Sequence, residues 1–413
     1  MKTPKSANFF GSFMNPVTRP AKAEAVRGEL PFTLADLRNS VPAEMFKASI
    51  PLSWYYIARD LVLFAAIGLA TDALLDIVGP DATVLRAAIW LAYTIVQGAV
   101  GFGLWVIGHE CGHQAYFGDG HWLNDPVGYV IHSGFCDPYH SWRITHATHH
   151  RYTNHKELDT AFPPKDYPSA LYDAGESFPP LHLFLIAMYL LIGWPLYICF
   201  NLEGHRYETT QNHFNPNAPM FQKRDRLGVI LSDIGVLVMF GVLAVATMQF
   251  GAWPVATYYG LGWVGTHSWL LLVTFLQHSD ARVPHYDEED NFNFVKGAIA
   301  TVDRDYGALW NNLTHHITDA HVVHHIFSRT PFYRAKKMTP LIAKALGKHY
   351  QYDERPLVVQ FWDAWWSHES SFLQSSVWQK ANPGVTQDSE SLEATRPVTQ
   401  AYIAEQRRAK ATQ

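Results

Sequence analysis

The chain has 413 residues, 48% of them hydrophobic and only 17% charged, against about 25% charged in an ordinary soluble domain. The net charge of −5 gives no case for nucleic acid, and three cysteines (Cys111, Cys136, Cys199) are too few and scattered for a disulfide framework. With 14 Trp, 20 Tyr and 24 Phe, the composition is that of a membrane protein with interfacial aromatic anchors.

Residues 1–30 are polar, carry Lys2, Lys5, Arg19, Lys22 and Arg27, lack the apolar core of a signal peptide, and read as disordered. Two apolar stretches follow, Tyr56–Ile77 and Val84–Ile107, each near the ~20 residues a helix needs to cross a bilayer. The second runs into His109-Glu110-Cys111-Gly112-His113. Asp125–Phe135 is apolar but too short to span, and is expected to dip into the interface. His146-Ala-Thr-His149-His150 comes next. Leu181–Phe200 is apolar but interrupted by Gly193-Trp194-Pro195. Leu227–Phe250 and Trp253–Gln277 follow, then His321-Val-Val-His324-His325. Residues 376–413 are polar and read as a disordered tail.

The histidine spacings carry the chemistry. Offsets of three and four residues stack imidazoles on one helix face. With 22 His in 413 residues, a random HxxHH is expected about 0.06 times per chain, yet two occur. Eight convergent imidazoles make a transition-metal site. One shared site requires an even number of crossings between His150 and His321. One of the three later stretches should therefore not span, and Leu181–Phe200, interrupted at Pro195, is the choice. Lys223, Arg224 and Arg226 precede Leu227, and Asp72, Asp76 and Asp81 lie around the first hairpin. The positive-inside rule then puts both termini and all three clusters in the cytosol. The expected fold is an all-α integral membrane protein: four transmembrane helices in two hairpins, interfacial helices, and a histidine-rich cytosolic cap.

The first cluster also matches HExxH, the pattern of a zinc protease with Glu110 as general base. That reading leaves two complete HxxHH clusters unused. Eight imidazoles exceed one tetrahedral zinc and suit two metals of five or six ligands. Two redox-active irons at a membrane surface suggest oxygen chemistry on a lipid, since an unactivated methylene offers side chains nothing to attack.

Beyond the clusters, Pro31-Phe-Thr-Leu-Ala-Asp-Leu-Arg with Val41-Pro42, Asn124-Asp125-Pro126-Val127-Gly128, and Pro138-Tyr139-His140-Ser141-Trp142-Arg143 resemble the membrane fatty acid desaturases of the Δ12/ω3 group. So do Thr274-Phe-Leu-Gln-His278, Pro284-His285-Tyr286, Ala300-Thr-Val-Asp-Arg-Asp-Tyr-Gly307, Thr318-Asp319-Ala-His321, and Ile326-Phe327-Ser328 with Pro331. The resemblance covers about residues 30–375 and implies a desaturase domain at 31–375. It departs in the second cluster, where Ala147 and Thr148 replace a frequent basic residue, and at Val323, where alanine is common.

The resemblance implies an endoplasmic reticulum enzyme that uses O2 and two irons to convert oleoyl chains on a phospholipid to linoleoyl. The chain has no HPGG motif of a fused haem module, so the implied electron donors are cytochrome b5 and its NADH reductase. An ω3 desaturase, or a hydroxylase, acetylenase or epoxygenase on the same centre, are the alternatives. The implied ligands are His109, His113, His146, His149, His150, His321, His324 and His325. At least one more is needed: His278 is the first choice and His315 the second, with packing or solvent roles favoured for His316, His285 and His140. Glu110 and Asp319 are candidates to orient ligand rings. Asp303, Arg304 and Asp305 read as a local ion-pair network, and Gly112 as a site of close helix packing. Trp362, Trp365 and Trp366 are read as membrane anchors or core, and Lys336 and Lys337 as a solvated face or donor dock.

Overall fold

In the computed structural model, residues 28–163, 179–280, 282–287 and 290–367 are described. The terminal segments expected to be disordered lie outside them, apart from Gly28, Glu29 and Leu30, as does the side chain of Trp366.

The stem begins with α1 (Ile50–Val78) and α2 (Thr83–Gly112), which turn back at Gly79 with φ 77°. At 1.5 Å per residue, each runs about 45 Å, longer than the ~30 Å hydrocarbon layer. α1 exposes Leu61, Val62 and Leu69, a lipid-facing surface, whereas α2 is buried at every residue from Gln97 to Cys111. Two cap helices follow, α3 (Asn124–Gly134) and α4 (Tyr139–Tyr152). After α5 (Pro179–Phe200) comes α6 (Arg226–Phe250), which exposes Leu237, Val238 and Met248. Gly251 (φ 87°) turns the chain into Ala252–Pro254, a π-helical turn Val255–Gly260, and α7 (Leu261–His278).

Among the described residues, four helices are long and apolar enough to cross a membrane by length and composition: Ile50–Val78, Thr83–Gly112, Leu183–Phe200 and Lys223–Phe250. The expected break at Pro195 is absent, because α5 runs through it without interruption. One lost backbone bond is tolerated where neighbouring helices pack around it. Packing nevertheless distinguishes α5 from the stem. The run from Val255 to His278 follows α2 from its far end: Tyr93 donates to Tyr258 O (2.7 Å) and Trp269 to Ile95 O (2.9 Å). Backbones touch at Gly98 and Gly265, where an added Cβ on Gly98 would lie 2.4 Å from Gly265 C. α5 instead lies on the upper half of α7, with Ser268 donating to Leu190 O (3.0 Å) and Gly193 against Leu271. Its flanks return to the cap: His213 N–H donates to Ile198 O (2.8 Å) and Phe162 N–H to Glu203 O (2.9 Å). The set of four thus differs from the one expected: Leu183–Phe200 is in it, and Trp253–Gln277, divided among Ala252–Pro254, the π-helical turn and α7, is not.

The cap is braced by α8 (His321–Ile326), α9 (Phe332–Leu346) and α10 (Leu357–Ser367). Ala335, Met338, Ile342 and Leu346 of α9 pack with Val322, Val323 and Ile326 of α8 and with Leu37 and Val41. Arg304, completely buried, donates to Leu276 O (2.8 Å) and Gln360 (3.0 Å) and pairs with Asp280 (2.5 Å) and Asp353 (3.4 Å). The end of α7 is thereby tied to α10.

Candidate metal centre

Each histidine cluster sits where a helix can turn its rings inward. His109 occupies the last turn of α2 and His113 caps it, one turn apart on one face. His146, His149 and His150 lie on α4, His321, His324 and His325 on α8, and His278 ends α7. The structure sorts them into two groups. Ligand nitrogens of His109, His113, His146, His150 and His324 all lie within 4.8 Å of one another, as do those of His149, His278 and His325. His321 Nε2 stands 3.1 Å from His278 Nε2 and 3.0 Å from His325 Nε2, and so joins the second group. The groups abut through His150 and His325, whose rings stack at 4.1 Å.

The donors fit metal ions. In the first group the Nε2 atoms of His109 and His146 are 2.9 Å apart, of His113 and His109 3.2 Å, and of His150 and His146 3.1 Å. Two nitrogens at right angles on one ion, each about 2.1 Å from it, stand about 3 Å apart. So many ring nitrogens facing one another cannot all be satisfied by shared protons. His109, His150, His278 and His321 each leave Nδ1, and His324 both nitrogens, without a hydrogen-bond partner among the described residues. Burial first, and then the neighbouring imidazoles, hold His146, His150, His321 and His325 well below the usual histidine range, and His324 at about 3. The rings are neutral at pH 7, with lone pairs available.

Some rings are oriented from behind. Asp159 accepts from His149 Nδ1 at 2.7 Å, which turns Nε2 to the group; backbone N–H of Asn154 (2.7 Å) and Ala161 (2.9 Å) fix the carboxylate. Thr153 Oγ1 lies 3.2 Å from His325 Nδ1. Glu110 accepts from Phe332 N–H (2.9 Å) and stands 3.5 Å from His324 Nδ1. Neither Glu110 Oε1 nor His324 Nδ1 has a hydrogen-bond partner among the described residues, so no bond from Glu110 orients a grouped ring.

His278, a first choice from its place at a helix end, is in the second group. His315 is not in either. It adopts φ 55°, and its Nε2 bonds Asp60 Oδ2 at 2.5 Å, beside Arg59. Asp319 corrects another expectation: it binds His316 (2.9 Å), Lys336 (2.6 Å) and Asn311 (3.1 Å), not a grouped histidine. Lys336 is thus engaged, and is not a free dock. Asp303, Arg304 and Asp305 do not pair with one another. Asp303 accepts from Val322 N–H (2.8 Å) and Tyr350 (2.6 Å), and Asp305 from Asn311 (2.6 Å). Trp365 is core, packed on Tyr189 and Phe275. A Cβ on Gly112 would stand 3.2 Å from Arg143 Cβ, the close packing expected. His285 is buried and His140 faces Arg143, both outside the groups.

A cavity opens onto both groups, reaching His109 and His146 of one and His149, His278 and His321 of the other. Its walls are largely apolar: Phe102, Trp105, Trp142, Trp194, Leu270, Leu271 and Val273. That lining suits an apolar ligand. The cavity walls and the Asp159 partner were not anticipated, because they come from segments far apart in sequence.

A fatty acid desaturase family model matches residues 87–355, well over half the chain. A Δ12 fatty acid desaturase of Mortierella isabellina is 38% identical over 348 residues, covering 80% of this chain and 86% of the relative. A Δ12 fatty acid desaturase of Arabidopsis thaliana is 39% identical over 331 residues, covering 80% and 85%. An acyl-lipid (9+3)-(E)-desaturase of Dimorphotheca sinuata is 38% identical over 333 residues, covering 80% and 86%. With its paired histidine groups beside an apolar cavity, this membrane chain belongs to the fatty acid desaturase family.

Proposed function

We propose that the protein is a Δ12 acyl-lipid desaturase of the endoplasmic reticulum that converts oleoyl to linoleoyl chains. The observation that carries this reading is an apolar cavity touching two groups of five and four imidazoles. His109, His113, His146, His150 and His324 would hold one iron, and His149, His278, His321 and His325 the other. The iron pair supplies the oxidising power: with O2, two electrons and two protons, –CH2–CH2– becomes –CH=CH– and two waters form. The chain's own part is to bind and orient. Asp159 aims the His149 ring. The Phe102, Leu270 and Leu271 walls hold an acyl chain away from water. Both termini and the cap would face the cytosol, where cytochrome b5, itself reduced by an NADH reductase, supplies the electrons.

The Δ12 position rests on two of the reported relatives bearing that name. The Dimorphotheca relative, equally similar, is named for an E-forming product, so product analysis is the deciding test. Expression in yeast should yield new linoleoyl chains. Trienoic product appearing only when linoleate is fed would make it an ω3 desaturase, and an oxygenated product a hydroxylase or epoxygenase.

A further inference from the structure

One buried carboxylate takes no part in the histidine groups. Asp137, at the turn between α3 and α4, is 0% exposed. Its Oδ2 accepts from Trp105 Nε1–H at 2.7 Å and lies 3.0 Å from His267 Nε2; its Oδ1 accepts from Trp194 Nε1–H at 2.6 Å. His267 Nδ1 stands 2.9 Å from Trp263 O. Three helices, α2, α5 and α7, therefore each send a ring to one carboxylate.

Burying a carboxylate is costly unless its oxygens are bonded. Apolar rings could close the same junction by packing alone. What the carboxylate adds is orientation, because a charge-assisted hydrogen bond fixes the direction of an indole N–H. Trp105 and Trp194 both line the cavity, whereas Asp137 lies behind them. The two indoles meet edge to face, 5.8 Å between centroids and 89° between planes. Trp105 sits one helical turn before His109 and lies nearly parallel to its ring, at 6.0 Å and 18°. A rigid aromatic corner thus stands at a fixed distance from the first histidine group.

We propose that Asp137 is a positioning residue: it fixes the Trp105–Trp194 corner, and that corner sets which carbons of an acyl chain lie beside the histidine groups. An apolar channel by itself grips no particular carbon. Register along a uniform chain of methylenes requires a wall that does not move. This inference rests on the acyl-binding reading of the cavity and deepens it, assigning regiochemistry to a residue that touches neither metal nor chain.

The test is Asp137→Asn in the full-length membrane enzyme. Asparagine keeps one acceptor oxygen and adds donors, so at least one indole loses its partner. A hydrophobic pocket discriminates one methylene by about 10–200-fold, so the share of product with a displaced double bond, or made from a chain of different length, should rise about tenfold. Two irons should remain bound. Trp194→Phe keeps the ring and drops the N–H, and should shift product in the same direction. Wild-type product distribution in Asp137→Asn overturns the proposal, as does loss of iron in step with loss of product. Should Asp137→Asn not accumulate in membranes, Trp194→Phe is read by the same two outcomes. A wild-type enzyme that places its bond elsewhere than Δ12 sinks the Δ12 reading alone, since the shift is measured against wild type.

Discussion

In the proposed two-iron site His278 is the donor that no histidine cluster contains, and its loss should empty one metal position while sparing the other. The second group has four imidazoles and the first has five. His278→Ala removes one of four nitrogens and leaves His321 Nε2 without its 3.1 Å neighbour. Loss of a mere hydrogen-bonding partner behind a ligand weakens metal binding by about 10–100-fold. Loss of a ligand should cost at least the upper end, about 100-fold or ~2.7 kcal/mol at that position. The first group touches neither His278 nor its helix end. Iron in purified enzyme should therefore fall from two per chain towards one, with desaturation abolished, as read by elemental analysis and Mössbauer spectroscopy. His315→Ala is the matched control: it should keep both irons and lose stability instead, by about 1–3 kcal/mol, because Asp60 is left buried with one partner fewer. A His278→Ala protein that holds two irons at wild-type affinity refutes the partition into two groups.

Asp159→Asn should weaken the iron at the second group by about 10–100-fold and leave the first unchanged, as measured by chelator competition. Glu110→Gln retains an acceptor for Phe332 N–H, so desaturation should fall by about tenfold at most; complete inactivation would return the HExxH base to consideration. The metal-free protein should lose stability on acidification. His324 is held at about 3 by burial, against 6.5 in the unfolded chain, so below pH 6.5 the unfolded state binds a proton that the folded state refuses. Its contribution is intact above pH 6.5 and shrinks as pH falls towards 3, and thermal unfolding at pH 7.5 and pH 5 would display the difference.

The histidine clusters were legible because helical spacing is local: offsets of three and four fix a shared face before any tertiary contact exists. His278 was legible for a related reason, as a polar residue ending an apolar run. His315 misled because its role depends on a left-handed turn and on Asp60, 255 residues away. Pro195 suggested a broken helix, but whether a proline breaks one depends on neighbours that spacing does not reveal. Asp137 stayed hidden for the same reason: its partners Trp105, Trp194 and His267 come from three separate helices. Asp319 shows the converse, a carboxylate two residues from His321 that faces away from it.

The contact between Gly98 and Gly265 has a mechanical consequence. It joins the helix that ends in His109 and His113 to the one that ends in His278, about three turns, or ~16–20 Å, before the first of these rings on either side. Bare backbones in contact act as a pivot with almost no slack. The arms below that pivot are about as long as those above it, so a side chain that spread the helices there would shift the imidazoles by nearly the same amount. Two glycines in the middle of the stem thereby help set the spacing between the two histidine groups at its end.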